Sequence, residues 1–267
     1  MRLKNILFHA DDFGRSKVIS KNILKCIKMN NINSISIMVG FDENYFNYIK
    51  RKKINIKLHL NLTEGYKNFL LNNDYSFIEL LFLPFRPSFQ SKKKEIIKQI
   101  EKQIRYFKKK FKTDKIKIDS HEHIHVIPWI NNIIFNLKKK FKIVEIRNPS
   151  EKFYLVGFKH SLNFIFFTNL IKLLVIKSLN NFNKKDNSVN FTGLNYTGMQ
   201  NLKTIKKGIS LNLETKKRLE VLIHPGYTNS KEKKIFDNKY FRYYNSPERL
   251  NEFQFTSSKK FLKNIIG

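Results

Sequence analysis

The sequence predicts an α/β fold: a single distorted (β/α) barrel with mainly parallel strands. Three observations carry this expectation. Short apolar runs alternate with longer stretches of helical periodicity, the pattern of repeated βα units. Histidines and aspartates recur at the C-terminal ends of those runs, where a barrel gathers its functional side chains. No internal repeat or low-complexity linker divides the 267 residues, a length that fits one large barrel.

Candidate strands are Asn5 to His9, Ser34 to Val39, Ile54 to Leu62, Ile116 to Ser120, Ile143 to Arg147 and Glu220 to His224. Helical patterns lie between them at Lys17 to Met29, Asp42 to Lys50, Lys92 to Phe111 and Trp129 to Lys140. The third places Ile96, Ile97, Ile100, Ile104, Phe107 and Phe111 on one face. In INIKLHLNLT, residues Ile54, Ile56, Leu58, Leu60 and Leu62 share one strand face, and Asn55, Lys57, His59, Asn61 and Thr63 share the other. In a barrel the first face meets the outer helices and the second points inward. One domain spans residues 1–267, with 151–217 an elaborated insertion whose structure the pattern does not resolve.

The formal net charge is +31, from 52 Lys and Arg against 21 Asp and Glu. Such a field favours nucleic acid, anionic lipid or acidic substrates. The basic residues are nevertheless spread along the chain, and Gly and Pro are scarce, at 9 and 6, as drift toward A/T-rich codons would produce. Runs such as Lys92–Lys94, Lys108–Lys110 and Lys138–Lys140 are expected at helix ends. No nucleic-acid module is recognisable and no nucleic-acid partner is expected. The alternatives carried forward are another metal-dependent amidohydrolase or phosphoesterase, and a basic nucleic-acid or anionic-membrane binding protein on a barrel scaffold.

The single cysteine, Cys26, excludes an internal disulfide and fits a reducing compartment, so the expected location is cytoplasmic. The N-terminus lacks the apolar core and small-residue cleavage site of a signal peptide. The most apolar stretch, Leu162 to Ile176, is broken by Asn163, Thr168, Asn169 and Lys172 and falls short of the roughly 20 residues a membrane span needs. It reads as a packed or interfacial helix, which leaves peripheral membrane contact open.

Five of the seven histidines fall in three compact motifs: His59 in HLNLTEG; His121, His123 and His125 in IDSHEHIHVIP; and His224 in LIHPGY. His160, in a lysine-flanked polar stretch, reads as an ordinary surface residue. His9 precedes the adjacent pair Asp11–Asp12 and is expected to pack against or orient it. Two neighbouring carboxylates repel and want a cation, a proton or a strong donor, although a helix N-cap would also account for them. Two imidazoles and one carboxylate make a three-ligand site with open positions, and the second aspartate is free to accept a proton.

HADDFGRS, KLHLNLTEG, IDSHEHIHVIP, EIRNPSE and EVLIHPGY resemble, in order and spacing, the motifs of the YdjC-like carbohydrate deacetylases. That family includes enzymes acting on chitooligosaccharides and on an N-acetylglucosaminyl hopanoid lipid. The resemblance weakens across Phe153 to Asn190, and His9 stands where the family usually has Asn. It implies a barrel like that of the polysaccharide deacetylases and hydrolysis of an N-acetylated sugar or glycolipid to acetate. It implies one divalent ion, Mg²⁺ or Zn²⁺, on Asp12, His59 and His121. It further implies Asp11 as general base held by Arg147, similar to the arginine of an Arg-x-Pro motif, and His224 as the imidazole that stabilises the oxyanion or protonates the leaving amine. His123, His125, Asn61 and Pro225 are the expected substrate-binding residues. A homodimer is left open.

Overall fold

Seven strands form one sheet in the computed structural model, which describes residues 5–65, 68–71, 74–157, 164–183, 188–213 and 217–266. They are β1 (Ile6–Phe13), β2 (Ser34–Ile37), β3 (Asn55–Leu60), β4 (Ile116–Ser120), β5 (Ile143–Ile146), β6 (Val189–Thr192) and β7 (Arg218–Ile223). The order is β5-β4-β3-β2-β1-β7-β6 and every pairing is parallel. The sheet curls into an incomplete barrel. Residues of β5 and β6, at its two edges, meet across a narrow cleft lined by Lys57, Arg147 and Glu220. The expected distorted barrel is therefore present. The sequence pattern missed β6, which lies inside the 151–217 segment, so that segment supplies a strand of the sheet itself.

Alternation of side chains sorts the strands into two faces. Ile35, Ile37, Leu58, Leu60, Ile116, Ile118, Leu219, Val221 and Ile223 join the main apolar core under the helices. The alternate positions are polar: Ser34, Ser36, Lys57, His59, Asp119, Glu145 and Glu220 are all buried. A barrel interior filled with charge is stable only when each charge is paired, since an isolated buried ion is very expensive. Here they are paired, Lys57 with both Glu145 and Glu220.

The helices close off this core. α1 (Lys17–Lys28) starts at Ser16, whose side chain accepts the Ile19 N–H. That cap is Ser16 and not either aspartate, so the acidic pair is free for other work. α2 (Phe46–Lys50) is shorter than expected. α3 (Phe77–Phe82), which the periodicity did not single out, begins with a capping box between Ser76 and Glu79. α4 (Phe89–Phe111) buries Ile96, Ile100, Ile104, Phe107 and Phe111 as the spacing predicts, and α5 (Pro128–Phe141) follows the histidine-rich motif. Lys108–Lys110 and Lys138–Lys140 occupy last helical turns, where the dipole favours cations. Lys92–Lys94 also lie at a helix end, but at the start of α4, where the dipole opposes them. A 17-residue helix, Phe164–Asn180, covers one side of the sheet's C-terminal end.

Gly14 follows the acidic pair with φ +90, and a Cβ there would stand 2.4 Å from the Met38 carbonyl oxygen. Gly14→Ala is expected to lose roughly 1–3 kcal/mol to the left-handed backbone alone, with the steric clash adding to it. Urea denaturation of the two proteins measures the difference, and equal midpoints would contradict this account of the turn.

Candidate active site

Adjacent residues of a regular strand point to opposite faces, so Asp11 and Asp12 should not share a site. β1 breaks that rule with a bulge: its register with β2 shifts between Ala10 and Phe13, and Asp12 takes φ 69. Left-handed backbone is uncommon outside glycine but tolerated by aspartate. The bulge turns both carboxylates to the barrel interior, and both are buried.

Asp12 meets the two histidines expected beside it. Its Oδ1 lies 3.5 Å from His59 Nε2 and 3.3 Å from His121 Nδ1. These three groups have one ligand atom each within 4.8 Å of the others. Such separations suit a cation held at about 2.0–2.2 Å from each atom. The outer contacts also fit. His59 Nδ1 is 2.7 Å from Asp119, which leaves Nε2 for an ion, and His121 Nε2 lies 3.4 Å from Glu64. Arg249 approaches Asp12 through its other oxygen, at 3.2 Å. Burial alone disfavours a charged His59, but Asp11, Asp119 and Asp12 outweigh it and push the imidazole up to about 10. The surrounding carboxylates therefore favour a positive charge on the His59 ring. Asp12, by the same balance, is held well below the usual carboxylate range, because His121, His59 and Arg249 overcome its burial.

Two other acidic groupings in the barrel, His9–Asp119–Glu220 and Asp11–His59–Asp119, have donor atoms close together as well. Arg147 already pairs with their carboxylates. Its guanidinium donates to both oxygens of Asp11 at 2.9 and 2.8 Å, to Glu220 at 2.6 Å, and lies 2.7 Å from Asp119. Burial opposes ionisation of Asp11, but Arg147, His59 and a hydrogen bond from His9 hold its carboxyl well below the ordinary range. His9 sits 3.1 Å from Asp11 and bonds Ser34 and Ser36 through its two ring nitrogens.

These groups form the floor of a cavity of about 450 Å³, within the range of small-molecule sites. Asp11, Asp12, His59, His121, His123 and His224 all line it. His123 and His224 each leave Nδ1 without a protein partner. Burial, then Arg249, depresses His224 to about 3, and burial, then Lys172, holds His123 well below its usual value, so both are neutral. Glu122 and His123 adopt left-handed φ of 51 and 57, which breaks the motif into a kinked turn and buries all three of its histidines.

The remaining expected residues do not line the cavity. Asn61 caps a tight turn, accepting the Thr63 and Glu64 N–H groups and donating to the Glu64 carbonyl. His125 spans Ser120 and the Arg147 carbonyl at 2.5 and 3.0 Å, so its ring holds the Arg147 backbone. Pro225 is buried beside His224. Arg147 lies behind Asp11, consistent with an orienting part. Sequence reasoning set Asp119 at a strand end without giving it a role, and passed over Glu64, Glu220, Arg249 and Lys172. Asp119, Glu64 and Glu220 lie inside the quoted motifs, and β3–β4 pairing sets Asp119 opposite His59. Arg249 and Lys172 belong to helices outside those motifs, and no local signal marks them. His160 lies outside the described residues.

The YdjC-like protein family model matches residues 5–265. A carbohydrate deacetylase of Clostridium beijerinckii is 24% identical over 97% of this chain and 94% of its own length. A carbohydrate deacetylase of Danio rerio is 27% identical over 53% of this chain, and the chain spans only about half, 49%, of that relative. Among solved structures, one described as a candidate cellobiose-phosphate cleavage protein of Enterococcus faecalis V583 superposes with a TM-score of 0.63 at 17% identity, covering 98% of this chain and 93% of that one. That likeness supports the fold.

Glu252 is wholly buried behind His224, accepting its backbone N–H at 2.6 Å. Burial pushes this carboxyl from 4.5 up to about 7, against that bond and Arg249. A raised folded pKa contributes stability that is complete below pH 4.5 and lost as pH rises through about 7. Glu252→Gln should therefore remove a decline in unfolding free energy across that window, read as the difference between the two proteins' denaturation curves. Parallel pH profiles would show that Glu252 is not protonated in the fold.

Proposed function

The chain belongs to the YdjC-like family, and on that premise we propose that it is a metal-dependent carbohydrate N-deacetylase, hydrolysing the acetamide of an N-acetylated sugar to acetate and free amine. The observation that carries the proposal is the Asp12, His59 and His121 group beside Asp11 on the cavity floor. The two relatives named carbohydrate deacetylase support the reaction class. Two imidazoles and a carboxylate suit Zn²⁺ on ligand softness and also accept Mg²⁺. A single such ion would polarise the amide carbonyl and lower the pKa of a water near it.

The protein's own groups then divide the remaining work. Asp11 accepts the proton of the attacking water, its carboxylate fixed by two N–H groups of Arg147. His224, kept neutral, donates a ring N–H to the oxyanion of the tetrahedral intermediate. The proton that the departing amine requires is the one Asp11 has taken, so the hydrolysis balances without an external acid. Tyr240 and Tyr243 line the cavity, where aromatic rings suit contact with a sugar. The substrate is either chitooligosaccharide-like or an N-acetylglucosaminyl glycolipid. A single buried thiol, pushed by burial up to about 12 and hence unreactive, accords with a reducing compartment such as the cytoplasm.

Acetate release from a panel of N-acetylated oligosaccharides and glycolipids tests the reading, with enzyme stripped of metal and reconstituted with Mg²⁺ or Zn²⁺. Stripped enzyme should be inactive, and failure on every substrate with every ion would sink the proposal. Asp12→Ala should abolish turnover, and loss of metal stoichiometry should accompany it. For His224→Ala, kcat should fall by about 10²–10³, the usual consequence of losing one oxyanion donor. A change confined to KM would assign His224 to binding instead.

A further inference from the structure

Two helices at the rim of the cavity turn apolar side chains to solvent. On α3 and the turn after it, Ile78, Phe82 and Phe85 recur at helical spacing and are 66%, 54% and 82% exposed. On the Phe164–Asn180 helix, Phe167, Ile171 and Leu174 do the same at 58%, 49% and 58%. Between the helices runs an apolar groove of about 360 Å³, walled by Phe77, Ile78 and Leu81 on one side and Ile171, Val175 and Ile176 on the other. Glu122, Thr168 and Lys172 line this groove and the catalytic cavity alike, so the two adjoin. Six large apolar side chains so exposed beside one groove are the kind of surface that marks an interaction site.

Charge indicates what covers it. The helix Phe164–Asn180 carries no acidic residue, and its charged residues are Lys172 and Lys177. Glu79 on α3 and Glu122 in the groove are acidic, but Arg86 after Phe85 and Lys92–Lys94 near the N-terminal end of α4, where the helix dipole gives them no support, outnumber them. An aliphatic and aromatic centre within a basic surround matches an anionic lipid surface, the apolar chains entering the acyl boundary and the lysines meeting headgroup phosphates. A second copy fits poorly, because each chain carries +31. Nucleic acid fits poorly too, since the centre of the patch is apolar and phosphate contacts would have to come from its edge.

We propose that this face docks the protein peripherally on anionic bilayers, with the groove holding the apolar part of a membrane-borne substrate while its polar head enters the cavity. No helix among the described residues is long and apolar enough to cross a membrane, so the contact is made from one side.

Sedimentation of the full chain with vesicles tests this separately from catalysis. Binding to vesicles of phosphatidylcholine mixed with phosphatidylglycerol should exceed binding to pure phosphatidylcholine and weaken with added salt. A triple variant, Phe85→Ser, Phe167→Ser and Leu174→Ser, changes no residue that lines the cavity. It should lower the vesicle partition coefficient by about tenfold or more, while keeping the thermal midpoint and acetate release from a soluble N-acetylated sugar. Three results would each overturn the proposal: no preference for anionic vesicles, equal partition of the variant, or a dimer in the parent protein that the variant dissociates. The third would make the face a self-interface. Loss of acetate release with binding intact would instead bear on the catalytic reading alone.

Discussion

The barrel interior depends on the Arg147 guanidinium. Three buried carboxylates, Asp11, Asp119 and Glu220, converge on it, and Lys57 holds the far side of Glu220. Carboxylates so placed could not stay ionised together without it, because burial raises each pKa and mutual repulsion raises it further. With it, Asp11 and Asp119 are held below the ordinary range, as is Glu220. Breaking such a node from one side typically costs about 3–5 kcal/mol, the penalty of leaving a buried charge unpaired. The stability of the core and the ionisation of the acidic pair are thus one electrostatic problem.

The same charge distribution divides the histidines into two kinds. His59 faces Asp11, Asp12 and Asp119, which makes a positive charge favourable there. His123, His125 and His224 are equally buried but feel Arg147, Lys172 or Arg249, and stay neutral. A ring among carboxylates is ready to exchange its proton for a cation, whereas a neutral ring supplies one donor and one acceptor. Position within the field, and not residue type, separates the charged imidazole from the neutral ones.

The 151–217 segment belongs to this arrangement. It contributes β6 to the sheet, and Thr168, Asn169, Lys172, Thr197 and Gly198 to the cavity wall. Glu151 anchors it, accepting the Thr192 hydroxyl and the N–H groups of Gly193 and Asn195. The wall that shapes the substrate side is therefore built from the stretch where the sequence motifs are weakest. Overall charge gave little direction, being spread along the chain. Its local arrangement around the exposed apolar lines carries more information than its sum.

The sequence by itself determined the βα alternation, six of the seven strands, and the placing of Asp11, Asp12, His59, His121 and His224 at strand ends, since these follow from periodicity and from side chains near one another in the chain. It also set the polar face of β3, because alternation is a local property of the backbone. Only the tertiary structure decided that Asp11 and Asp12 face the same way, through a bulge with Asp12 at φ 69. It alone set Asp119 against His59 through β3–β4 register, brought Arg249 to Asp12 across 237 residues, and turned Asn61 and His125 to backbone support. Those outcomes depend on strand register and on packing between distant segments, which no window of neighbouring residues encodes.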